Sequence, residues 1–87
     1  MRFSDVFVSR ADRYSVGIEL DSGRHYVSIP VSNGAVDYEE YYGISPEQSE
    51  AFLADRTAAI EFVEACRGHQ RDDLLILKPG TNRGTPV

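Results

Sequence analysis

Alternation of apolar and polar positions organises the first half of the chain. In "YSVGIEL", Tyr14, Val16, Ile18 and Leu20 point one way and Ser15, Gly17 and Glu19 the other, as in a half-buried strand. "HYVSIPV" alternates likewise, with Val27, Ile29 and Val31 on one face. A two-residue turn at Ser22-Gly23 sets Ile18 against Val27 and Val16 against Ile29, with Asp21 and Arg24 flanking it as an opposite-charge pair. Asn33-Gly34 is the strongest short hairpin signal in the chain. A turn there sets Val31 against Val36, Ile29 against Tyr38 and Tyr26 against Tyr41. Both hairpins agree on one apolar face. Pro30 lacks an N–H, so that position must face an edge, a bulge or a strand end. "FSDVFVSR" predicts a first strand in one of two registers, burying either Phe3 and Phe7 or Val6 and Val8.

The period then changes. "SPEQ" reads as an N-cap at Ser45, Pro46 in the first helical position and Gln48 closing a capping box. Phe52, Ala59, Ile60, Val63 and Cys66 form one stripe of a helix that Gly68 stops. Arg56 interrupts the pattern, and Asp55 before it can cap a second helix, which breaks the first near "LADR". "DDLLILKPG" predicts a short strand over Leu74 to Leu77, and residues 79–87 read as an irregular tail. The fold class is α+β. An antiparallel meander of about four strands carries one helix, either continuous or broken near residues 54–57, on one face. A short C-terminal strand completes a single domain over residues 1–87. The second sheet face has no layer to cover it.

Composition narrows the function. The chain has 87 residues, 41% hydrophobic and 26% charged, as in an ordinary globular domain. No apolar run reaches the roughly 18 residues of a membrane span, and "MRFSDVFVSR" lacks the apolar core of a signal peptide. One cysteine, Cys66, excludes an internal disulfide, and these features together predict a cytoplasmic protein. The net charge of −5 is uneven. Residues 1–36 carry four acids and four bases, residues 37–73 ten acids and three bases, and residues 74–87 two bases. An acidic field of this kind repels nucleic acid and attracts a basic partner.

Chemistry is hard to place. Cys66 and His69 have the spacing of half a zinc site, but His25 is the only further His or Cys, and a structural zinc takes four ligands. Cys66 sits on the apolar stripe and reads as core. "PGTNRG" lacks the Lys-Ser/Thr ending of a phosphate loop. Glu39 and Glu40 are adjacent on a strand and point to opposite faces, so they do not make an acid–base pair. The expectation is a protein without catalytic residues, metal or cofactor.

Binding is the stronger reading. In "VDYEEYYGIS", Asp37, Glu39 and Tyr41 point away from the core. With Glu19 and Tyr26 they make an uncovered face rich in tyrosine and acid, a composition suited to protein contact. Glu40 falls on the core face, where a partner such as Arg56 could hold it. Glu47, Glu50, Glu61 and Glu64 line the polar side of the helix. An acidic helix face also serves solubility, and tyrosine is a good strand former in its own right.

"VDYEEYYGIS", the acidic helix "EQSEAFLADRTAAIEFVEAC" and the small single domain together give a chain that resembles, in general character, the immunity proteins of bacterial contact-dependent growth inhibition and related polymorphic toxin systems. The resemblance implies a cognate basic toxin domain, often a nuclease, bound tightly and one-to-one, with carboxylates taking the place of phosphates. The contacts would come from Glu19, Tyr26, Asp37, Glu39 and Tyr41 on the sheet, or from Glu47, Glu50, Glu61 and Glu64 on the helix. A second reading is a regulatory or structural module that acts as a homo-oligomer or adapter through an open sheet face or edge. A small enzyme built on Cys66, His69 and His25 ranks third, and nucleic-acid binding ranks last.

Overall fold

Loops of five and four residues, 20–24 and 33–36, and not two-residue turns, set the register of the sheet. The computed structural model describes residues 1–87. Strands β1 (Phe3–Ser9), β2 (Tyr14–Glu19), β3 (His25–Ser32) and β4 (Asp37–Ile44) run in chain order as an antiparallel meander. Val16 lies against Val27 and Ile18 against His25. Val31 lies against Tyr38, Ile29 against Glu40 and Val27 against Tyr42. Both pairings are displaced by two residues from the registers the turn signals predict.

The cause is side-chain capture of loop amides. Glu19 folds its carboxylate back and accepts from the N–H groups of Asp21 and Ser22, each at 2.9 Å. Asn33 Oδ1 accepts from the N–H groups of Ala35 and Val36, at 3.0 and 2.9 Å. Each capture displaces the pairing by two residues. A shift of two keeps every side chain on its predicted face, because strand side chains repeat with period two. Only the end positions suffer: Leu20 and Val36, expected on the core face, are exposed. Asp21 pairs with Arg2 rather than Arg24.

β1 follows neither predicted register. A bulge between Asp5 and Phe7 adds one residue, so Phe3 and Asp5 share the open face while Phe7 turns toward the helices. Pro30 lies beyond Ser28, the last β3 residue that pairs with β2, so its missing N–H interrupts no ladder there.

The helical stretch is two helices. In α1 (Pro46–Ala54) the capping box forms as predicted, with Gln48 N–H donating to Ser45 Oγ at 3.0 Å and Ser45 N–H to Gln48 Oε1 at 2.9 Å. Asp55 takes an extended conformation, and its carboxylate accepts from the N–H groups of Thr57 and Ala58 to start α2 (Arg56–Arg67). Gly68 ends α2 with an ordinary negative φ, and His69, at φ 59°, takes the left-handed position that follows.

The C-terminal segment departs most from expectation. Leu74 to Leu77 do not form a strand. Asp72–Leu74 make a 3₁₀ turn, after which Leu75 bridges Tyr42 and Ile76 N–H donates to the Tyr41 carbonyl. The tail predicted to be irregular contains β5 (Thr85–Pro86), which pairs with Val31 and Ser32 where β2 has left the edge of β3 free. The core lies between the helices and one sheet face, and includes Val16, Val27, Ile29, Tyr42, Phe52 and Val63. No helix is long and apolar enough to cross a membrane.

Candidate interaction surfaces

The sheet face turned away from the helices is closed by its own aromatic residues. Gly17 has no side chain, and the Tyr26 ring occupies the space above it. The Tyr26 hydroxyl donates to Asp5 Oδ1 at 2.6 Å. Phe3 stacks on Tyr41 with centroids 3.6 Å apart, and both meet Tyr26 edge-on at 5.3 and 5.0 Å. These are favourable quadrupole geometries. Tyr26 is therefore fully buried, and burial together with the Asp5 carboxylate pushes its hydroxyl well above the usual phenol range. A residue expected to meet a partner is an internal strut.

Glu19 is the second correction. Its side chain is 2% exposed and serves the fold. The Arg2 N–H, the Asp21 N–H and the Ser22 hydroxyl, all donating to it, pull its carboxyl down to about 2. The unfolded chain binds this proton more readily than the fold does. The stabilisation is therefore complete above the ordinary value of 4.5 and is lost as pH falls toward about 2. We expect protection of the Asp21 and Ser22 amides against hydrogen exchange to decline across that window, and Glu19→Gln to abolish the decline. An identical pH profile in the variant would refute the assignment.

Asp37, Glu39 and Tyr41 remain accessible. Asp37 is exposed at the start of β4, and Glu39 and Tyr41 are half-buried on the open face. Burial raises the Glu39 carboxyl above its usual range, against a partial lowering by the neighbouring Ser28 hydroxyl. Ser28 Oγ is itself buried without a well-formed hydrogen bond. Beside Glu39 runs an open groove of about 380 Å³ whose rim includes Arg10 and Arg13. Neither arginine belongs to an ion pair. This part of the sheet face is mixed in charge, not acidic.

Glu40 lies on the core face, as the alternation requires, but Arg83 holds it and not Arg56. Arg83 Nε donates to Glu40 Oε2 at 2.7 Å and Nη1 to Asp72 Oδ2 at 2.8 Å. The Tyr42 hydroxyl donates to Glu40 Oε1 at 3.0 Å. Asp72 and Glu40 together raise the Arg83 pKa further above its already high value. Arg56 instead makes a two-pronged pair with Asp12, and lowers that carboxyl below its usual range.

The helix layer keeps its acids free. Ser49 and Phe52 are the buried side of α1, and Glu47 and Glu50 project from the other. Ala59, Val63 and Cys66 are the buried side of α2, and Glu61 and Glu64 project away from it. Glu64 pairs with Arg67, whereas Glu47, Glu50 and Glu61 belong to no ion pair. Both helices pack against the inner sheet face, and these three carboxylates lie on the helices' exposed sides.

The chemical groups stay apart. Cys66 is fully buried, and burial pushes its thiol up to about 12. No three His, Cys, Asp or Glu side chains come together as metal ligands would.

Asp5 and Arg83 are the structurally central residues that pattern reasoning did not single out, and Phe3, expected with Phe7 in one register, packs instead on the open face. A glycine inside the "YSVGIEL" strand is the one signal that pointed to close approach above it. No family model, curated protein or solved structure matches the chain.

Proposed function

We propose that this protein is a non-enzymatic inhibitor of the immunity type. It binds a basic toxin domain through the acidic side of its helix layer. The observation that carries this reading is the set of exposed, unpaired carboxylates Glu47, Glu50 and Glu61. Several other acids are committed: Glu19 to a loop, Asp5 to Tyr26, Asp12 to Arg56, and Glu40 and Asp72 to Arg83. Spaced carboxylates on a rigid helical layer can take the place of phosphates in a basic cleft and steer its approach. Glu39 lies beside the unpaired Arg10 and Arg13 and serves a basic partner less well. The buried, protonated thiol of Cys66 suits a reducing cytoplasm.

The test is capture of a binding protein from the native host with three baits. The unaltered chain retains one basic protein in equal amount, less firmly as salt rises. The triple variant Glu47→Lys, Glu50→Lys, Glu61→Lys weakens that binding about 100-fold or more. Asp37→Lys with Glu39→Lys leaves it within about 10-fold. Failure to retain any basic protein, or binding indifferent to the triple variant, would count decisively against this reading.

A further inference from the structure

β1 is the edge strand with no backbone partner on its outer side. The outer edge of β4 is met by Leu75 and Ile76 at Tyr42 and Tyr41. The end of β3 left free by β2 is taken by β5. β1 pairs only with β2, and its other edge is open along all seven residues. That edge is apolar: Val6, Phe7 and Val8 are 62, 43 and 52% exposed. The bulge turns Phe7 toward the helix side, where it shares a depression of about 200 Å³ with Leu53 of α1, itself 47% exposed. The apolar surface thus continues from the strand edge onto the neighbouring helix. Lysine, proline and short length are the usual means of blunting an edge, and β1 has none of them. Its bulge bends the strand but leaves both valines exposed.

The charges at the two ends of this patch say what covers it. Asp5 and Arg10 flank it, and neither belongs to an ion pair. Asp5 uses one carboxylate oxygen for Tyr26 and keeps the other free. In antiparallel pairing with a second copy, the register that sets Val8 against Val8 on the two-fold axis sets Phe7 against Ser9 and, across the bulge, Asp5 against Arg10, twice by symmetry. A basic segment of another protein would meet Arg10 instead. The net charge of −5 on each copy opposes association only weakly at physiological salt.

We infer that β1 is a homodimer interface. Two copies pair β1 to β1 about a two-fold axis, join their meanders into one continuous sheet, and cover the exposed Val6, Phe7 and Val8 of one chain with β1 of the other. The variants that test it, at Val8 and Arg10, leave Glu47, Glu50 and Glu61 unaltered, so this interface and the proposed inhibitor function stand or fall separately.

Sedimentation equilibrium of the full chain from about 1 µM to about 1 mM tests this. At the upper end the mass is twice the 9.7 kDa of one chain. Val8→Lys places two lysines in the interface and raises the dissociation constant at least about 100-fold. Arg10→Asp sets like charges opposite each other and raises it about 10-fold. Leu77→Lys alters an equally exposed apolar residue away from β1 and leaves it unchanged. An unaltered melting temperature in Val8→Lys separates lost pairing from lost folding. A 9.7 kDa species at every concentration overturns the inference. So does a dimer that survives Val8→Lys, or an extended segment of another protein on β1 in place of a second copy.

Discussion

Arg83→Ala destabilises the protein by about 3–5 kcal/mol, measured by urea unfolding at neutral pH. The residue comes from a segment that reads as an irregular tail, yet it neutralises a carboxylate inside the core. Glu40 is 5% exposed and Arg83 18%, so water cannot replace the guanidinium once it is removed. An uncompensated buried charge is far more costly than the net worth of the pair that contained it. A domain of this length has roughly 4–13 kcal/mol of stability in all, so the single substitution brings it close to unfolding at body temperature.

The double variant Arg83→Met, Glu40→Leu separates the cause. It removes the buried pair and leaves Asp72, 40% exposed, to solvent; most of the loss returns, because replacing a buried pair by apolar residues is close to neutral. The Tyr42 hydroxyl, left without Glu40, still has the Cys66 carbonyl at 3.3 Å as an acceptor. If Arg83→Ala cost less than about 1 kcal/mol, the pair would be behaving as a surface salt bridge. The tail would then not be an integral part of the fold.

The faces of the sheet were legible in the sequence, and the register was not. Alternation in "YSVGIEL", "HYVSIPV" and "DYEEYY" assigns each side chain to a face, and a shift of two residues leaves that assignment intact. The shift itself comes from Glu19 and Asn33 reaching back to loop amides; Asn33 makes an Asx turn, which its residue type permits but which the Asn-Gly two-residue hairpin signal does not distinguish. Asp55 as a second N-cap was legible because capping is local. Arg83 was not, because it lies 43 residues from Glu40 and nothing nearby marks it. The candidate site divides along the same line. Glu47, Glu50 and Glu61 keep their place because helix periodicity alone decides it. Glu19 and Tyr26 lose theirs because their burial depends on β1, whose bulge the pattern could not place. What remains open to a partner on the sheet face is Asp37, Glu39 and Tyr41.

Gly17→Ala tests the aromatic closure of that face directly. The added methyl would sit 2.5 Å from the Tyr26 hydroxyl oxygen and closer still to the Ser4 carbonyl oxygen on β1. One obstacle is a ring that Phe3 and Tyr41 hold in place, and the other is backbone. Neither moves without loosening β1 or breaking the Tyr26–Asp5 hydrogen bond. Elsewhere in a strand, glycine to alanine restricts the unfolded chain and stabilises by about 0.4–1 kcal/mol. Here overpacking costs about 3 kcal/mol and wins, for a net loss of about 2 kcal/mol in urea unfolding. In a Tyr26→Leu background the ring is gone, and the added cost of Gly17→Ala falls by about half because the Ser4 carbonyl remains. Faster hydrogen exchange in β1 accompanies the loss, since that strand is the one displaced. A gain in stability in the single variant, as unfolded-state entropy alone would give, would mean that Tyr26 does not lie over Gly17. The open face would then again offer Tyr26 to a partner.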